Sequence, residues 1–427
     1  LIPFPLAGER KDKEAVNLHP HLDPRSTELT TKSPVEGEEA GTEEKHMDIQ
    51  YGLISADSHV VTDKDAFVKR MSKSKWGDRI PQLMEVESKG RLVHRWVVNA
   101  KSLGGRGVCN CPAVMGDPLR NSYPQRWEDV PAKAYVPSER LKALDADGID
   151  AEVLFPNDPG SFHQYNDAEF ELTCVQAYND SMAEWYRASD RFIPLAMVPI
   201  LGGMDAAVAE VERAANVGHR GVVMLALPNL LVKELPHISD PYWYPLWEAC
   251  QDTQLPVHLH ASAGLARKIT FPEWEGYSPY QQHAAFTVPT AAWPAQIIPN
   301  IIFSGIAYRF PRLKWVFAET GIGSVSCAQT ACDHEWESRQ LWQHGLEQRP
   351  SELIRQQVYV NFWYEQAGIE LRQQVGIDNI MWESDYPHIA STYPDSWKFV
   401  ERSLQGVPED ERKKMLYLNA QCLYRLA

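Results

Sequence analysis

Asp57-Ser58-His59 ends a short apolar run, Leu53-Ile54-Ser55-Ala56. Alternate residues of a strand project to one side, so this spacing lets Asp57 and His59 grip a single cation. Two later segments offer matching donors. Pro256-Val257-His258-Leu259-His260 ends on His260, and Trp382-Glu383-Ser384-Asp385-Tyr386-Pro387-His388 supplies Asp385. A carboxylate inside an otherwise apolar strand is costly to bury unpaired, and metal ligation removes that cost. Each residue alone reads as a hydrogen-bonded core group. Four of them at strand ends point instead to a divalent metal ion: Zn, Mn or Fe.

Glu319 closes the run Leu313-Lys314-Trp315-Val316-Phe317-Ala318 and precedes Thr320-Gly321-Ile322-Gly323. Three roles fit it: metal ligand, proton shuttle or salt-bridged support. His258 shares a strand face with His260 but lies deeper, which suits a core histidine or one that braces a ligand. His334 and His388 are candidates to brace a ligand or touch substrate, His334 also to act in catalysis, and His163 is a further substrate-contact candidate. Arg106 and Arg126 are candidates to pair with a substrate carboxylate.

These residues need a scaffold that brings distant strand ends together. From residue 49 onward strand and helix patterns alternate. Strands are predicted at 53–57, 151–155, 192–198, 221–225, 256–260, 313–319, 358–362 and 380–385. Helices are predicted at 137–147, 166–185, 205–217, 242–253, 323–343, 368–375 and 409–424. Eight strands separated by helices suggest an α/β (β/α)8 barrel, whose active sites sit at the C-terminal ends of the strands. The stretch of about 60–135 is too long for a barrel loop. It contains a strand-like run at 92–99 and the glycine-rich Gly104-Gly105-Arg106-Gly107. It is expected over the barrel mouth, where long loops select substrate.

Residues 1–48 are set apart by five prolines and the acidic Glu36-Gly37-Glu38-Glu39. They read as an N-terminal extension: a flexible tail, a partly vector-derived segment (His46-Met47 resembles a cloning scar), or an arm lying on a partner subunit. The formal net charge of −15 and the absence of a basic cluster argue against nucleic-acid binding. No apolar run reaches the ~18 residues that span a bilayer. The seven cysteines are odd in number in a long chain. That fits reduced thiols in a cytoplasm better than a disulfide scaffold, and Cys109-Asn110-Cys111 reads as ordinary loop cysteines. The aromatic Tyr242-Trp243-Tyr244, read as exposed, suggests that the barrel helices mediate homo- or hetero-oligomers.

Several motifs together resemble one family. Asp57-Ser58-His59-Val60-Val61, Leu144-Asp145-Ala146-Asp147-Gly148-Ile149-Asp150, Phe303-Ser304-Gly305, Arg309-Phe310-Pro311-Arg312-Leu313, Phe317-Ala318-Glu319-Thr320-Gly321 and Ser384-Asp385-Tyr386-Pro387-His388 are similar to the amidohydrolase-2 group of the amidohydrolase superfamily. That group includes aminocarboxymuconate-semialdehyde decarboxylase and related aromatic-acid decarboxylases. The resemblance covers about residues 50–427. It implies a distorted TIM barrel with a divalent metal at its mouth, held at Asp57, His59, His260 and Asp385. Asp57 replaces the usual first histidine, and Glu319 stands where the decarboxylases commonly have a catalytic histidine. Gly221-Val222-Val223-Met224-Leu225 lacks the lysine that bridges two metals in the binuclear branch.

The leading expectation is a metal-dependent enzyme that hydrolyses or non-oxidatively decarboxylates a small organic acid or amide. In hydrolysis the metal would activate water, Asp385 would take its proton, and Glu319 or His334 would protonate the leaving group. The carboxylate-rich set, with bridging carboxylates in place of the lysine, also suits a dinuclear Mn/Fe or Fe/Fe oxygenase. A third expectation is a non-catalytic, metal-bearing partner subunit.

Overall fold

The computed structural model describes residues 47–157, 159–260, 276 and 278–426. The expectations for the N-terminal extension therefore lie outside the described residues, apart from Met47 and Asp48. Met47 is buried and its N–H donates to Leu426 O at 3.0 Å.

The chain opens with β1 (Ile54–His59) and then builds a small ribbon from β2 (Gln82–Ser88), β3 (Arg91–Val98) and β4 (Lys101–Ser102). The remaining strands are β5 (Ala151–Phe155), β6 (Phe192–Met197), β7 (Gly221–Val223), β8 (Val257–His260), β9 (Trp315–Ala318), β10 (Val358–Phe362) and β11 (Ile380–Trp382). Eight of them pair in parallel in the order β1-β5-β6-β7-β8-β9-β10-β11. Their residues are almost all buried, as parallel strands covered by helices on the outside must be. The fold is the (β/α)8 barrel that the alternation of patterns suggests.

The seam between the last strand and the first is stitched just beyond β11. Asp385 N–H donates to Asp57 O at 3.0 Å, and Ser58 bridges to Tyr386. Three small hydroxyl residues fill the join: Ser55 Oγ lies 2.9 Å from Ser384 Oγ and 3.1 Å from Ser58 Oγ. The register of β1 against β5 slips between Ser55 and Ser58. Such a bulge re-aims side chains next to active sites, and here it falls at Asp57.

The acids of Leu144–Asp150 act as clamps. Asp150 accepts four N–H bonds, from Gln50, Tyr51, Gly52 and Leu53, at 2.7–3.0 Å, and so fixes the chain as it enters β1. Asp147 accepts from Ser396 Oγ at 2.6 Å. Buried Arg140 makes two bonds to buried Glu152, at 2.7 and 2.8 Å, and a third to His59 O at 3.1 Å. That pair ties the outer helix Pro137–Asp147 to the C-terminal end of β1.

Several sequence expectations need correction. The strands predicted at 313–319 and 380–385 stop at Ala318 and Trp382, so Glu319 and Asp385 sit just past them. Both have left-handed φ, 54° and 52°. The single helix expected at 368–375 is two short turns, Ala367–Glu370 and Arg372–Val375. The helix expected to reach 343 ends at Ser338. Of the aromatic run expected to be exposed, Trp243 is fully buried and donates to His237 O at 3.0 Å, Tyr244 is half-buried and Tyr242 is exposed.

The long insertion folds β2 and β3 as a hairpin and then returns along the loop after β11. Ala113 N–H donates to Pro387 O at 3.1 Å, and Arg120 donates to the carbonyls of Ile389 and Tyr393. The insertion thus braces the segment that carries His388. Among the described residues, no helix is long and apolar enough to cross a membrane.

Candidate metal centre

Six donors converge at the C-terminal ends of the barrel strands. β1 supplies Asp57 and His59, β8 supplies His260, and Glu319, Asp385 and His388 follow β9 and β11. His260 Nε2 lies 3.3 Å from Asp57 Oδ2 and 3.7 Å from Glu319 Oε2. His59 Nε2 lies 3.4 Å from Asp57 Oδ1 and 3.5 Å from Asp385 Oδ1. His388 Nδ1 lies 2.8 Å from Asp385 Oδ1 and 3.7 Å from Glu319 Oε1. The rings of His59 and His388 stack with centroids 3.9 Å apart.

Two overlapping groups of donors emerge. One is Asp57, His59 and His260; the other is His59, Glu319, Asp385 and His388. Within each group the ligand atoms lie within 4.8 Å of one another. Both Asp57 oxygens, both His59 nitrogens, His260 Nε2 and Asp385 Oδ1 are buried without a well-formed hydrogen bond. Buried polar atoms are rarely left so in a stable protein. Donors about 2.1 Å from a shared cation stand roughly 3–3.4 Å from each other, close to the spacings seen here. The residues fit a divalent cation.

The electrostatics agree. Burial raises Asp57, and burial with Glu319 pushes Asp385 well above the usual carboxylate range. Burial pulls His59 well below the usual imidazole value and keeps it neutral, the form that ligates. Burial also opposes charge on His260 and His388, but neighbouring carboxylates outweigh it. Glu319 and Asp57 hold His260 at about 9, and Asp385 and Glu319 hold His388 at about 10. In turn, those histidines overcome the burial of Glu319 and hold it well below the carboxylate range. Protonated His260 and His388 balance the carboxylates, and a histidine that ligates a cation must give up its proton.

The other sequence candidates separate. His163 lines a cavity of about 320 Å³ with His59, His260 and His388. His388, expected to brace a ligand or touch substrate, stands inside the donor cluster. His334 is exposed on the helix Gly323–Ser338, 3.5 Å from Ser338 Oγ, and does not reach the site. Arg126 turns outward to Glu85 and Glu128, at 3.1 and 3.6 Å. Arg106 lies over the rings of Tyr123 and Tyr280 beside a different cavity. Neither arginine meets the metal cluster, because the insertion folds back on itself instead of pointing into the barrel.

Sequence reasoning missed three residues. Glu383 is fully buried and accepts from Glu319 N–H at 3.2 Å, which helps hold Glu319 in its left-handed turn. Asn157 Nδ2 lies 3.4 Å from His388 Nε2. Phe155 packs its ring 5.1 Å from His260 and 5.9 Å from His59. Only Glu383 carried a signal, an acid inside the last apolar strand pattern.

The family model described as Amidohydrolase matches residues 94–426. The chain belongs to the amidohydrolase-2 family. No curated protein matches this amidohydrolase in sequence. Among solved structures, an amidohydrolase from Mycobacterium avium subsp. paratuberculosis K-10 is similar at 22% identity and a TM-score of 0.69, covering 88% of this chain and 100% of that one. The 5-carboxyvanillate decarboxylase LigW from Sphingomonas paucimobilis is similar at 21% identity and a TM-score of 0.57, covering 88% and 100%. A dihydroxybenzoic acid decarboxylase from Polaromonas sp. JS666, solved with manganese and 2-nitroresorcinol, is similar at 17% identity and a TM-score of 0.54, covering 88% and 98%. At these identities the likeness establishes the amidohydrolase's fold.

Proposed function

We propose that this amidohydrolase is a metal-dependent enzyme that acts on a small organic acid, with non-oxidative decarboxylation as its reaction. One observation carries the reading. Asp57, His59, His260, Glu319, Asp385 and His388 converge, four of them with buried atoms that lack a well-formed hydrogen bond, and three of the six line a cavity. The decarboxylase neighbours, one of them solved with manganese, support it. When bound, a divalent ion supplies Lewis acidity and an anchor for the substrate's anionic group.

The side chains supply the rest. Asp57, His59, His260 and Asp385 would hold the ion. Glu319 is an ionised carboxylate and has no proton to donate, so the acid must be another residue. His388 fits: it borders the cavity, and Asp385 orients its Nδ1 at 2.8 Å. When the carbon–carbon bond breaks and CO2 leaves, the electron pair on carbon takes the proton of His388. Phe155 and the apolar wall of Val223, Met224 and Leu225 limit water near that carbon.

The test is CO2 release from a panel of hydroxybenzoic and related acids, run in D2O. Decarboxylation puts one deuterium on the vacated carbon. Turnover of amides to acids without CO2 would make the enzyme a hydrolase instead.

A second reading rests on the two overlapping donor groups. Their residues would hold two ions in a dinuclear Mn/Fe or Fe/Fe oxygenase, which would supply O2 activation. Two redox metals per chain and O2-dependent turnover would favour it; one metal and anaerobic turnover would exclude it.

A further inference from the structure

The cavity beside the metal centre has a second polar group that decarboxylation does not use. Most of its wall is apolar, including Val175, Met197, Ile200 and Met224, and no arginine or lysine is among the described residues that line it. Among the described residues, the counter-charge for a substrate carboxylate in this cavity lies at the metal centre and its histidines.

Glu171 lines the same cavity from the helix Ala168–Ala188 and is only 3% exposed. Its Oε2 accepts from Ile200 N–H at 3.0 Å and from Leu201 N–H at 2.7 Å. Those two bonds fix the carboxyl group. They leave Oε1 without a hydrogen bond from any described residue. Burial pushes the pKa of Glu171 up to about 7, relieved among the described residues by those backbone donors and by no cationic side chain.

A fixed, buried carboxylate with one oxygen to spare, and with no cationic side chain acting on it among the described residues, is best matched by a cation that the ligand brings. A ligand hydroxyl would give one hydrogen bond and leave the charge uncompensated. We propose that Glu171 is the ammonium-recognising pole of this cavity, so that the substrate is a small zwitterionic acid whose carboxylate faces the metal centre and whose amino group meets Glu171 Oε1. This rests on the metal-dependent reading above and narrows its substrate class.

The test uses calorimetric titration of the metal-loaded enzyme at pH 8. The probes are ω-amino carboxylic acids of increasing chain length and the des-amino acids of equal length. At one chain length the amino acid should bind at least tenfold more tightly than its des-amino partner. Glu171→Gln, which keeps an acceptor for Ile200 and Leu201, should cut that preference to within twofold at unchanged metal content. Equal binding at every length overturns the proposal, as does a preference that survives in Glu171→Gln. If the loaded enzyme binds neither series, the metal-anchored reading fails as well; if it binds both equally, only the role of Glu171 falls. Should Glu171→Gln not fold, Glu171→Asp is the alternative. Its shorter reach should move the favoured chain length up by one methylene, and an unmoved optimum counts against the proposal.

Discussion

His258 and His260 lie two residues apart on one strand and face the same side of it, yet they do opposite work. The interior around His258 is complete. Nδ1–H donates toward the carbonyls of Val222 and Pro256, both at 3.1 Å, and Nε2 accepts from Tyr424 OH at 2.9 Å. The fit is so close that a Cβ on Gly221 would stand 2.4 Å from His258 Cε1. One turn of the pleat higher, His260 Nε2 is buried with no well-formed bond and faces three acids. Residue type does not separate structure from function here; the completeness of each residue's bonding does. A satisfied buried polar group stabilises the fold, whereas an unsatisfied one is held in place by the fold to meet a ligand.

The sharpest way to break this comparison is to remove one donor from the mouth. His260→Ala or Asp385→Ala should lose bound metal and more than ~10⁴-fold of turnover, about 5.5 kcal/mol of transition-state stabilisation. The metal-free protein should stay folded, although each substitution leaves a buried partner charge less well balanced. Metal analysis, steady-state kinetics and calorimetry on the same preparation check all three.

His258→Ala should do the reverse. Losing a fully buried ring and its bonds should cost ~2–4 kcal/mol of stability in chemical denaturation, while metal affinity at permissive temperature changes little. A variant that lost metal but not stability would erase the distinction.

Glu319 sharpens the boundary between the two classes. It is half in and half out: its backbone is held by Glu383, and its carboxylate is shared between His260 and His388. Its left-handed φ of 54° costs roughly 1–3 kcal/mol. Glu319→Gln should keep the fold and reduce turnover or metal occupancy more than tenfold, ~1.4 kcal/mol or more. Wild-type values would make Glu319 a structural residue.

The smallest effect is a pH slope. Burial holds the folded pKa of His258 down to about 3, below the unfolded imidazole value of 6.5. As pH falls through 6.5 the unfolded chain takes a proton that the folded chain refuses, so stability drops until about pH 3 is reached. The slope from one such group is at most ~1.4 kcal/mol per pH unit. His258→Gln should remove one proton's worth of slope between pH 6 and 4, read from denaturation midpoints across that range; an unchanged slope would mean that His258 titrates normally.

The barrel was legible because its strands are short apolar runs at regular intervals, with donors that are chemically out of place at their ends. Asp57, His59, His260 and Asp385 announced themselves in this way. His388 did not, since it reaches the cluster only because Asp385 turns the chain at a positive φ, which nothing in a non-glycine residue signals. His334 misled because a histidine on a helix near the site can face either way, and this one faces solvent. Arg126 misled because its acidic partner Glu85 lies 41 residues away on a strand pairing within the insertion. Glu171 was hidden in the first turn of a helix, where an acid ordinarily reads as a solvated residue that favours the helix dipole.

The most direct test of the central claim is anomalous scattering at the Mn, Fe and Zn edges from crystals of the metal-loaded enzyme. A peak bonded to Asp57, His59, His260 and Asp385 at about 2.0–2.3 Å, with His258 still bonded to Tyr424, is the predicted result. A loaded crystal with no peak there, and the six side chains bonded to one another in its place, would contradict it.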